Sequence, residues 1–234
     1  MLPAALQSRL TWARTSLLLC RGCLGPVGER AEAGLCTRCW AGLLPLPEGR
    51  CPRCALVHAE EACPEAVAWA FGEALWDYHG GRPPLGALLL PGIKQGESGW
   101  RKALLGRVAA AGLPEWAPEV DQVTAVPSAL PQRLLRGVDF SAEVARLIAG
   151  RLDRPFTPLL AKAWRSGRQA ARSESERRRL PRQALRLRPG AAPRGSILLV
   201  DDVWTTGTTL LRCAQALLEG GAAEVRVLTV FRAL

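Results

Sequence analysis

The stretch that most limits the fold of this chain is ILLVDDVWTTGTTL, from Ile197 to Leu210. Its first four residues are all apolar, which is typical of a short strand buried in a parallel sheet. Two adjacent carboxylates, Asp201 and Asp202, follow, and then come a loop of threonine and glycine and a second apolar stretch. In an open parallel sheet, ligands bind at the carboxyl ends of the strands. The pattern therefore predicts a strand, a ligand-binding turn and a helix in succession.

The loop after the two carboxylates has the composition of a phosphate site. Backbone N–H groups at the start of a helix are unpaired, and the helix dipole adds positive potential, so a phosphate is favoured there. Gly207 allows close approach of the backbone, and the threonine hydroxyls add donors. Carboxylates beside such a loop fit a ligand that also offers hydroxyls, so we predict a sugar phosphate. The alternative is an ordinary strand–turn–helix with a capping aspartate. The predicted contacts are Asp201, Asp202, Thr205, Thr206, Gly207, Thr208 and Thr209.

Strand and helix patterns alternate through the second half of the chain. Besides the buried run, we predict strands over 122–126 and 224–231. Helices are predicted over 141–152 and 208–218, with Ser141 as the cap of the first. Strand–helix–strand repetition predicts an α/β fold in which helices pack on a parallel sheet.

The region before these elements is patterned less clearly. Residues 67–78 are predicted to form a hairpin or a pair of short strands that turns near Phe71 and Gly72. Residues 85–90 and 100–111 are predicted helices, separated by Pro91-Gly92 and a glycine-rich turn.

Seven of the eight cysteines lie between Cys20 and Cys63. Dense cysteine in a cytosolic chain indicates a metal site more often than disulfides. Two Cys-x-x-Cys pairs, separated by twelve residues, present four thiolates of the kind that a structural Zn²⁺ prefers. A redox dithiol is the alternative, but no strand–helix context of the thioredoxin kind surrounds either pair. The predicted zinc ligands are Cys20, Cys23, Cys36 and Cys39.

A third cysteine pair is followed by one histidine and one further cysteine. These four residues could form a second zinc site, or they could be a knuckle that has lost its fourth ligand, and both interpretations stay open: Cys51, Cys54, His58 and Cys63. The segment is too poor in apolar residues to fold unaided, so metal would supply the folding energy. We predict a zinc-binding module with an N-terminal helix over residues 1–66, and a second domain over 67–234. Cys213, alone in an apolar helical pattern, is predicted to be a core residue.

Positive charge is concentrated in one part of the chain. The formal net charge is +10, from 28 arginines and three lysines against 21 acidic residues. Ten basic and two acidic residues fall between Lys162 and Arg188, so this basic segment alone contributes +8. Phosphate-rich partners are therefore predicted. A mobile lid, a disordered loop and a contact surface for single-stranded DNA all fit such a segment.

No part of the sequence has the character of a membrane segment. The longest apolar run, Leu85–Ile93, is interrupted by Pro91 and is far shorter than a bilayer span. After Arg9 and Arg14, only the apolar run Leu17–Leu19 precedes Cys20, and no small-residue cleavage site follows, which argues against a signal peptide. We expect a cytoplasmic protein without membrane insertion.

The stretch from Ile197 to Leu210 resembles the phosphoribosyl pyrophosphate (PRPP) signature of type I phosphoribosyltransferases. The shared features are an apolar strand, two acidic residues, two apolar residues and a loop of small residues, although Trp204 replaces the usual aliphatic residue. The resemblance implies that Asp201 and Asp202 are catalytic and bind the 2′ and 3′ hydroxyls of the ribose. It also implies that the loop binds the 5′-phosphate and that Mg²⁺ accompanies PRPP.

A wider resemblance, to the competence protein F (ComF) family, extends along nearly the whole chain. The matching pieces are CRGC, CTRCW, CPRC, IKQGE around Lys94, VPSALPQRLLRGVDFS from Val126 and RSGRQAARSESERR from Arg165. ComF proteins couple N-terminal cysteine knuckles to a phosphoribosyltransferase-like domain. In the transferases the turn after the first core strand holds pyrophosphate. The residues that this implies here are Pro127, Ser128, Arg133 and Arg136.

Two functions are compatible with these resemblances. ComF membership implies a DNA-uptake protein of natural transformation, which handles single-stranded DNA in the cytoplasm together with proteins of the uptake machinery. The predicted DNA contacts are Arg177, Arg178 and Arg179. The alternative is an active phosphoribosyltransferase that uses PRPP and Mg²⁺ on an unidentified nucleobase-like acceptor. No acceptor site is recognisable in the sequence, and the fold is also used without catalysis.

Overall fold

The computed structural model describes residues 19–27, 31–58, 63, 67–128, 139–162 and 185–233. The predicted N-terminal helix lies outside the described residues, and so do the predicted contacts at Arg133, Arg136 and Arg177–Arg179.

The described residues form helices and strands in alternation. The helices are α1 (Thr37–Trp40), α2 (Leu85–Lys94), α3 (Ser98–Ala110), α4 (Phe140–Leu152) and α5 (Thr208–Glu219), with a 3₁₀ turn at Ala117–Glu119. The strands are β1 (Phe71–Asp77), β2 (Gln122–Ala125), β3 (Leu160–Lys162), β4 (Leu185–Leu187), β5 (Ser196–Trp204) and β6 (Glu224–Arg232).

The main sheet of the described region has the strand order β1-β6-β5-β2, and all of its neighbouring strands are parallel. The predicted α/β fold with a parallel sheet is therefore confirmed. The central pair, β5 and β6, brings Asp201 opposite Thr229 and Trp204 opposite Arg232. Strands β3 and β4 form a separate antiparallel pair, in which Lys162 lies opposite Leu185. The basic segment therefore leaves and re-enters the described structure at neighbouring positions.

Helices cover both faces of the sheet because the apolar residues of β5 alternate between two cores. Leu198 and Val200 pack with residues of α2, α3 and α4. Ile197 and Leu199 pack with the apolar face of α5, which includes Cys213. Cys213 is fully buried, as predicted for a core residue. This two-sided burial explains why the strand reads as a continuous apolar run.

The prediction for residues 67–78 was wrong. Residues 71–77 form one strand parallel to β6, neither a hairpin nor a pair of short strands. Gly72 lies where the cysteine-rich segment crosses the strand: its N–H donates to the Pro52 carbonyl at 2.8 Å. A Cβ at this position would overlap the Arg53 carbonyl oxygen. The glycine therefore serves a close approach of two backbones instead of a turn.

Helix α2 also differs from its prediction, because it continues through Pro91 to Lys94. Pro91 lies on the exposed side of the helix, whereas Leu90 and Ile93 are buried in the core. Burial of Ile93 thus outweighs the local preference for a break. The added turn carries Lys94 to the carboxyl end of the sheet.

Helix α4 begins one residue earlier than predicted, and its cap is Asp139 instead of Ser141. The Asp139 carboxylate accepts a hydrogen bond from the Ala142 N–H, as expected at a helix start. Among the described residues, no helix combines the length and the apolar character needed to cross a bilayer.

Candidate functional site

Asp201 lies at the carboxyl end of β5 and is almost fully buried. Its Oδ1 accepts hydrogen bonds from the Ser141 hydroxyl and from the Asp202 N–H, both at 2.9 Å. Burial is the main cause that raises the pKa of Asp201 from 3.8 to about 8, and the neighbouring charge of Asp202 adds to it. Ser141 and Lys94 favour the ionised form but do not reverse the shift. Burial therefore favours the protonated form of Asp201.

Asp202 is held on the other side by a cation. Its Oδ2 lies 2.7 Å from the Lys94 ammonium group at the end of α2. The lysine side chain is 38% exposed and the aspartate side chain 11%, so the pair borders solvent. A ribose diol that binds to Asp202 has to share this carboxylate with Lys94 or displace it.

The loop after β5 has the backbone geometry of an anion site. Gly207, at φ +70°, adopts the left-handed conformation that favours glycine, and it begins α5 without a side-chain cap. The hydroxyls of Thr206 and Thr208 lie 3.1 Å apart at the exposed surface. A small pocket is lined by Asp201 and by residues 203–210. The loop therefore offers both N–H and O–H donors beside the buried carboxylates.

The predicted pyrophosphate turn begins at the same edge of the sheet. The Val126 N–H donates to the Val200 carbonyl at 2.9 Å, so Pro127 and Ser128 follow directly after the last contact between β2 and β5. The Ser128 hydroxyl lies 3.1 Å from the Asp139 carboxylate. This hydrogen bond joins the two ends of segment 129–138, which lies outside the described residues. Pro127 and Asp139 also line a pocket with Leu160 and Arg188, at the base of the basic segment.

The first four cysteines converge as predicted. Their Sγ atoms all lie within 4.8 Å of one another: Cys20, Cys23, Cys36 and Cys39. Burial raises the pKa of the Cys20 thiol, but backbone N–H groups of this loop lower it to about 6. A thiolate is the form that binds a metal, so the donor set fits a tetrahedral Zn²⁺.

The second cysteine cluster is equally compact, with ligand atoms within 4.8 Å of one another: Cys51, Cys54, His58 and Cys63. The Cys54 Sγ lies 3.1 Å from the His58 Nε2. Burial raises the pKa of Cys51, but the backbone N–H groups of Arg53 and Cys54 outweigh it and bring the value to about 7. Three thiols and an imidazole at this spacing fit a metal ion such as zinc, so the fourth ligand is not missing from the fold.

One comparison with known proteins matches the part of the chain that forms this site. The family model described as the phosphoribosyl transferase domain matches residues 135–234, which include β5, the loop and α5. The chain carries a phosphoribosyltransferase-like domain. A search of curated proteins finds no match.

Several solved structures are similar to part of the chain. The glutamine PRPP amidotransferase from B. subtilis, complexed with ADP and GMP, is 30% identical over 56% of this chain and 26% of its own, with a TM-score of 0.38. Orotate phosphoribosyltransferase from Aeropyrum pernix is 20% identical over 59% of this chain and 63% of its own, with a TM-score of 0.34. PRPP synthetase from Mycobacterium smegmatis is also 20% identical, over 56% of this chain and 33% of its own, with a TM-score of 0.31. The chain spans about a quarter of the length of the B. subtilis amidotransferase chain.

Three residues of the phosphoribosyltransferase-like site were not predicted to have a role there. The sequence predicts Ser141 as a helix cap and places Lys94 only within the ComF resemblance, and it predicts no role for Arg232. Lysine is rare in this arginine-rich chain, with three examples against 28 arginines. The rarity of lysine could have drawn attention to Lys94, because a compact ammonium group forms different ion pairs from a planar guanidinium group. Ser141 and Arg232 left no comparable signal in the sequence.

Trp204, which replaces an aliphatic residue of the resemblance, packs inward. It is fully buried, and its ring meets Trp69 edge to face at 5.4 Å between centroids. The indole therefore packs on the buried side of the loop of residues 205–209.

Proposed function

We propose that this protein binds PRPP, or a related phosphoribosyl compound, together with Mg²⁺ at the carboxyl end of β5. The observation that carries the proposal is the buried carboxylate pair directly before a helix start that no side chain of the described residues caps. The loop of residues 205–209 would bind the 5′-phosphate through its N–H and hydroxyl groups. Asp202 would accept hydrogen bonds from the ribose hydroxyls.

The two carboxyl groups have different roles in this proposal. Asp201, whose burial favours the protonated form, keeps its position through Ser141 and the Asp202 N–H and limits the negative charge near the ligand. Asp202 carries the charge that Lys94 balances before the ligand binds. Mg²⁺ would supply positive charge for the phosphate and pyrophosphate oxygens, with Asp202 as the available carboxylate on the protein side.

We also propose that the protein handles single-stranded DNA in DNA uptake, as its resemblance to ComF implies. The basic segment carries net charge +8 and starts from β3 and β4. Leu160 of β3 and Arg188 line the same pocket as Pro127. Arginine side chains that start there would reach phosphates of a strand that passes the carboxyl end of the sheet. Cytoplasmic location and partners in the uptake machinery remain predictions.

An active phosphoribosyltransferase is the second candidate. The two described ends of the basic segment, at β3 and β4, favour it, because a lid that starts there would neutralise a leaving pyrophosphate and exclude water. The two candidates differ in what they predict for DNA binding.

Titration calorimetry of PRPP, with and without Mg²⁺, tests the first proposal. The wild type is expected to bind PRPP in the presence of Mg²⁺. Asp202→Asn keeps the shape of the side chain but loses a charge-assisted hydrogen bond, which costs about 1.5–3 kcal/mol, or about ten- to a hundredfold in affinity. Glu219→Gln, at the exposed end of α5, is the matched control and should bind as the wild type does. A wild type that does not bind PRPP would refute the proposal and leave only the similarity of fold.

Filter binding of single-stranded oligonucleotides, with and without PRPP, tests the second proposal. Strongly salt-dependent DNA binding that PRPP does not alter would support DNA handling and count against the catalytic candidate. Conversion of PRPP in the presence of a nucleobase, without DNA binding, would overturn the DNA-handling proposal.

A further inference from the structure

Arg232, the last residue of β6, lies at the centre of a buried contact between three segments. Only 2% of the residue is exposed to solvent. Its Nη1 donates to the carbonyls of Trp204, at 3.1 Å, and of Thr205. Its Nε donates to the Cys54 carbonyl at 3.3 Å. One guanidinium group therefore binds both the start of the phosphate loop and the Cys-x-x-Cys turn of the second cysteine cluster.

The same guanidinium group also contacts the indole of Trp204. Its Cζ lies 4.5 Å from the ring centroid, which is a cation–π distance. Trp204 in turn meets Trp69, whose Nε1 donates to the Arg53 carbonyl at 2.7 Å. A second connection thus runs from the phosphate loop through two indoles to the turn of the cysteine cluster.

The cysteine cluster is also joined directly to the sheet. The Gly72 N–H of β1 donates to the Pro52 carbonyl at 2.8 Å. Carbonyls of three successive residues, Pro52, Arg53 and Cys54, therefore accept hydrogen bonds from the domain that carries the phosphate loop. A metal ion that fixes Cys51 and Cys54 also fixes the direction of these carbonyls. Cys54 and Ala55 are buried in the same core as Trp69 and Trp204, so the turn is packed against the domain, and the metal would add the constraint on its cysteine side chains.

We propose that Arg232 is a positioning residue that couples metal binding at the second cysteine cluster to the conformation of the phosphate loop. The proposal rests on the proposed function, because the loop is there the site of the 5′-phosphate. A metal ion at the second cluster would align the Cys54 carbonyl. Arg232 joins that carbonyl to the carbonyls of Trp204 and Thr205. The loop N–H groups that follow Thr205 would then be held toward the ligand.

Because the coupling is reciprocal, it can be measured either as an effect of the metal on PRPP binding or as an effect of PRPP on metal binding. If the metal strengthens PRPP binding by some factor, PRPP strengthens metal binding by the same factor. Couplings of this kind are typically about five- to 150-fold. Arginine is required because it donates from Nε and Nη1 in fixed directions, whereas lysine has one ammonium group and cannot span both sets of carbonyls.

The test uses the full chain and three variants. Cys63→Ser removes one ligand of the second cluster and leaves Arg232 intact, and Arg232→Lys retains the charge but not the geometry. Arg226→Lys is the matched control, because Arg226 is also a buried arginine on β6, held by Glu119 and Glu224 away from the loop. Hydrogen–deuterium exchange of the peptide that contains residues 204–209 measures the loop directly and does not require PRPP.

We expect faster exchange of this peptide in both Cys63→Ser and Arg232→Lys, and no change in Arg226→Lys. Calorimetry should show PRPP binding weakened by about five- to fiftyfold in each of the first two variants. The double variant should be no weaker than either single one, because both changes interrupt the same connection. PRPP should tighten zinc binding by a larger factor in the wild type than in Arg232→Lys, in which only the connection through Trp204 and Trp69 remains.

Wild-type exchange at residues 204–209 in Cys63→Ser, in protein shown to have lost one zinc equivalent, would overturn the coupling. Additive losses of PRPP affinity in the double variant would do the same. A wild type that fails to bind PRPP refutes the proposed function instead, and the exchange experiment still decides whether the metal controls the loop.

Discussion

Asp201 should make the stability of this protein fall as the pH rises. Its pKa is raised in the folded state, from 3.8 to about 8, chiefly by burial. Between these values the folded protein holds a proton that the unfolded chain has released. The contribution of this group is therefore complete below about pH 4, declines through the neutral range and is lost above about pH 8.

The size of this change in stability follows from the pH range between the two pKa values of Asp201. One proton contributes about 1.4 kcal/mol per pH unit to the free energy of unfolding. From pH 5 to pH 7.5 the wild type should therefore lose about 3 kcal/mol relative to Asp201→Asn, which cannot titrate. The amide of the variant keeps an acceptor oxygen for the Ser141 hydroxyl, so the hydrogen bond at 2.9 Å remains possible.

Urea unfolding followed by tryptophan fluorescence, at several pH values and with saturating zinc, measures this difference. Protonation of the cysteines and the release of zinc contribute equally to both proteins and cancel in the comparison. Glu219→Gln serves as the control and should differ from the wild type by a constant amount across the range. A difference between wild type and Asp201→Asn that is independent of pH, or that grows in the opposite direction, would refute the reasoning.

Two further predictions concern the metal and the basic segment. Cys36→Ser should lose about one equivalent of zinc in metal analysis and should destabilise the N-terminal module. The control Cys213→Ser should keep its metal. A Cys36→Ser protein that has lost its metal and is as stable as the wild type would contradict this prediction. Replacing Arg177–Arg179 with glutamine should flatten the slope of log DNA affinity against log salt by about 2, because each phosphate contact on a single strand contributes about −0.7. The matched control replaces three exposed arginines elsewhere with glutamine: Arg38, Arg53 and Arg82. If the Arg177–Arg179 variant instead shows weaker PRPP turnover and an unchanged salt slope, the segment acts as a catalytic lid.

The sequence allowed correct prediction where the determining contacts are local or follow from spacing. The apolar run before Asp201 predicted a buried parallel strand, because burial on both faces leaves no polar alternation. The glycine and threonine loop predicted the start of α5. The spacing of the first four cysteines predicted their convergence, since a tetrahedral ion requires two turns that face each other.

Predictions failed where a distant residue decides between local alternatives. Asp139 and Ser141 are both suitable helix caps, and the choice depends on Asp201, whose buried carboxyl group uses the Ser141 hydroxyl. Pro91 normally ends a helix, yet α2 continues because Ile93 is buried in the core. These contacts join residues far apart in the chain, so no pattern within either segment could predict them.

The partners of Lys94 and Arg232 could not be predicted for the same reason. Lys94 meets Asp202 across 108 positions of the sequence, and Arg232 meets Cys54 across 178. Both are side chains whose partners are set by the order of strands in the sheet. A sequence pattern that places the carboxylates at the end of β5 does not say which cation faces them.

A crystal structure of the full chain with PRPP and Mg²⁺ tests the central claim most directly. The 5′-phosphate is expected within about 3 Å of backbone nitrogens in residues 205–209, with a ribose hydroxyl on the Asp202 carboxylate and the Lys94 ammonium group moved from its 2.7 Å contact. A complex in which PRPP binds elsewhere, while Lys94 stays on Asp202 and the loop holds no phosphate, would contradict the account.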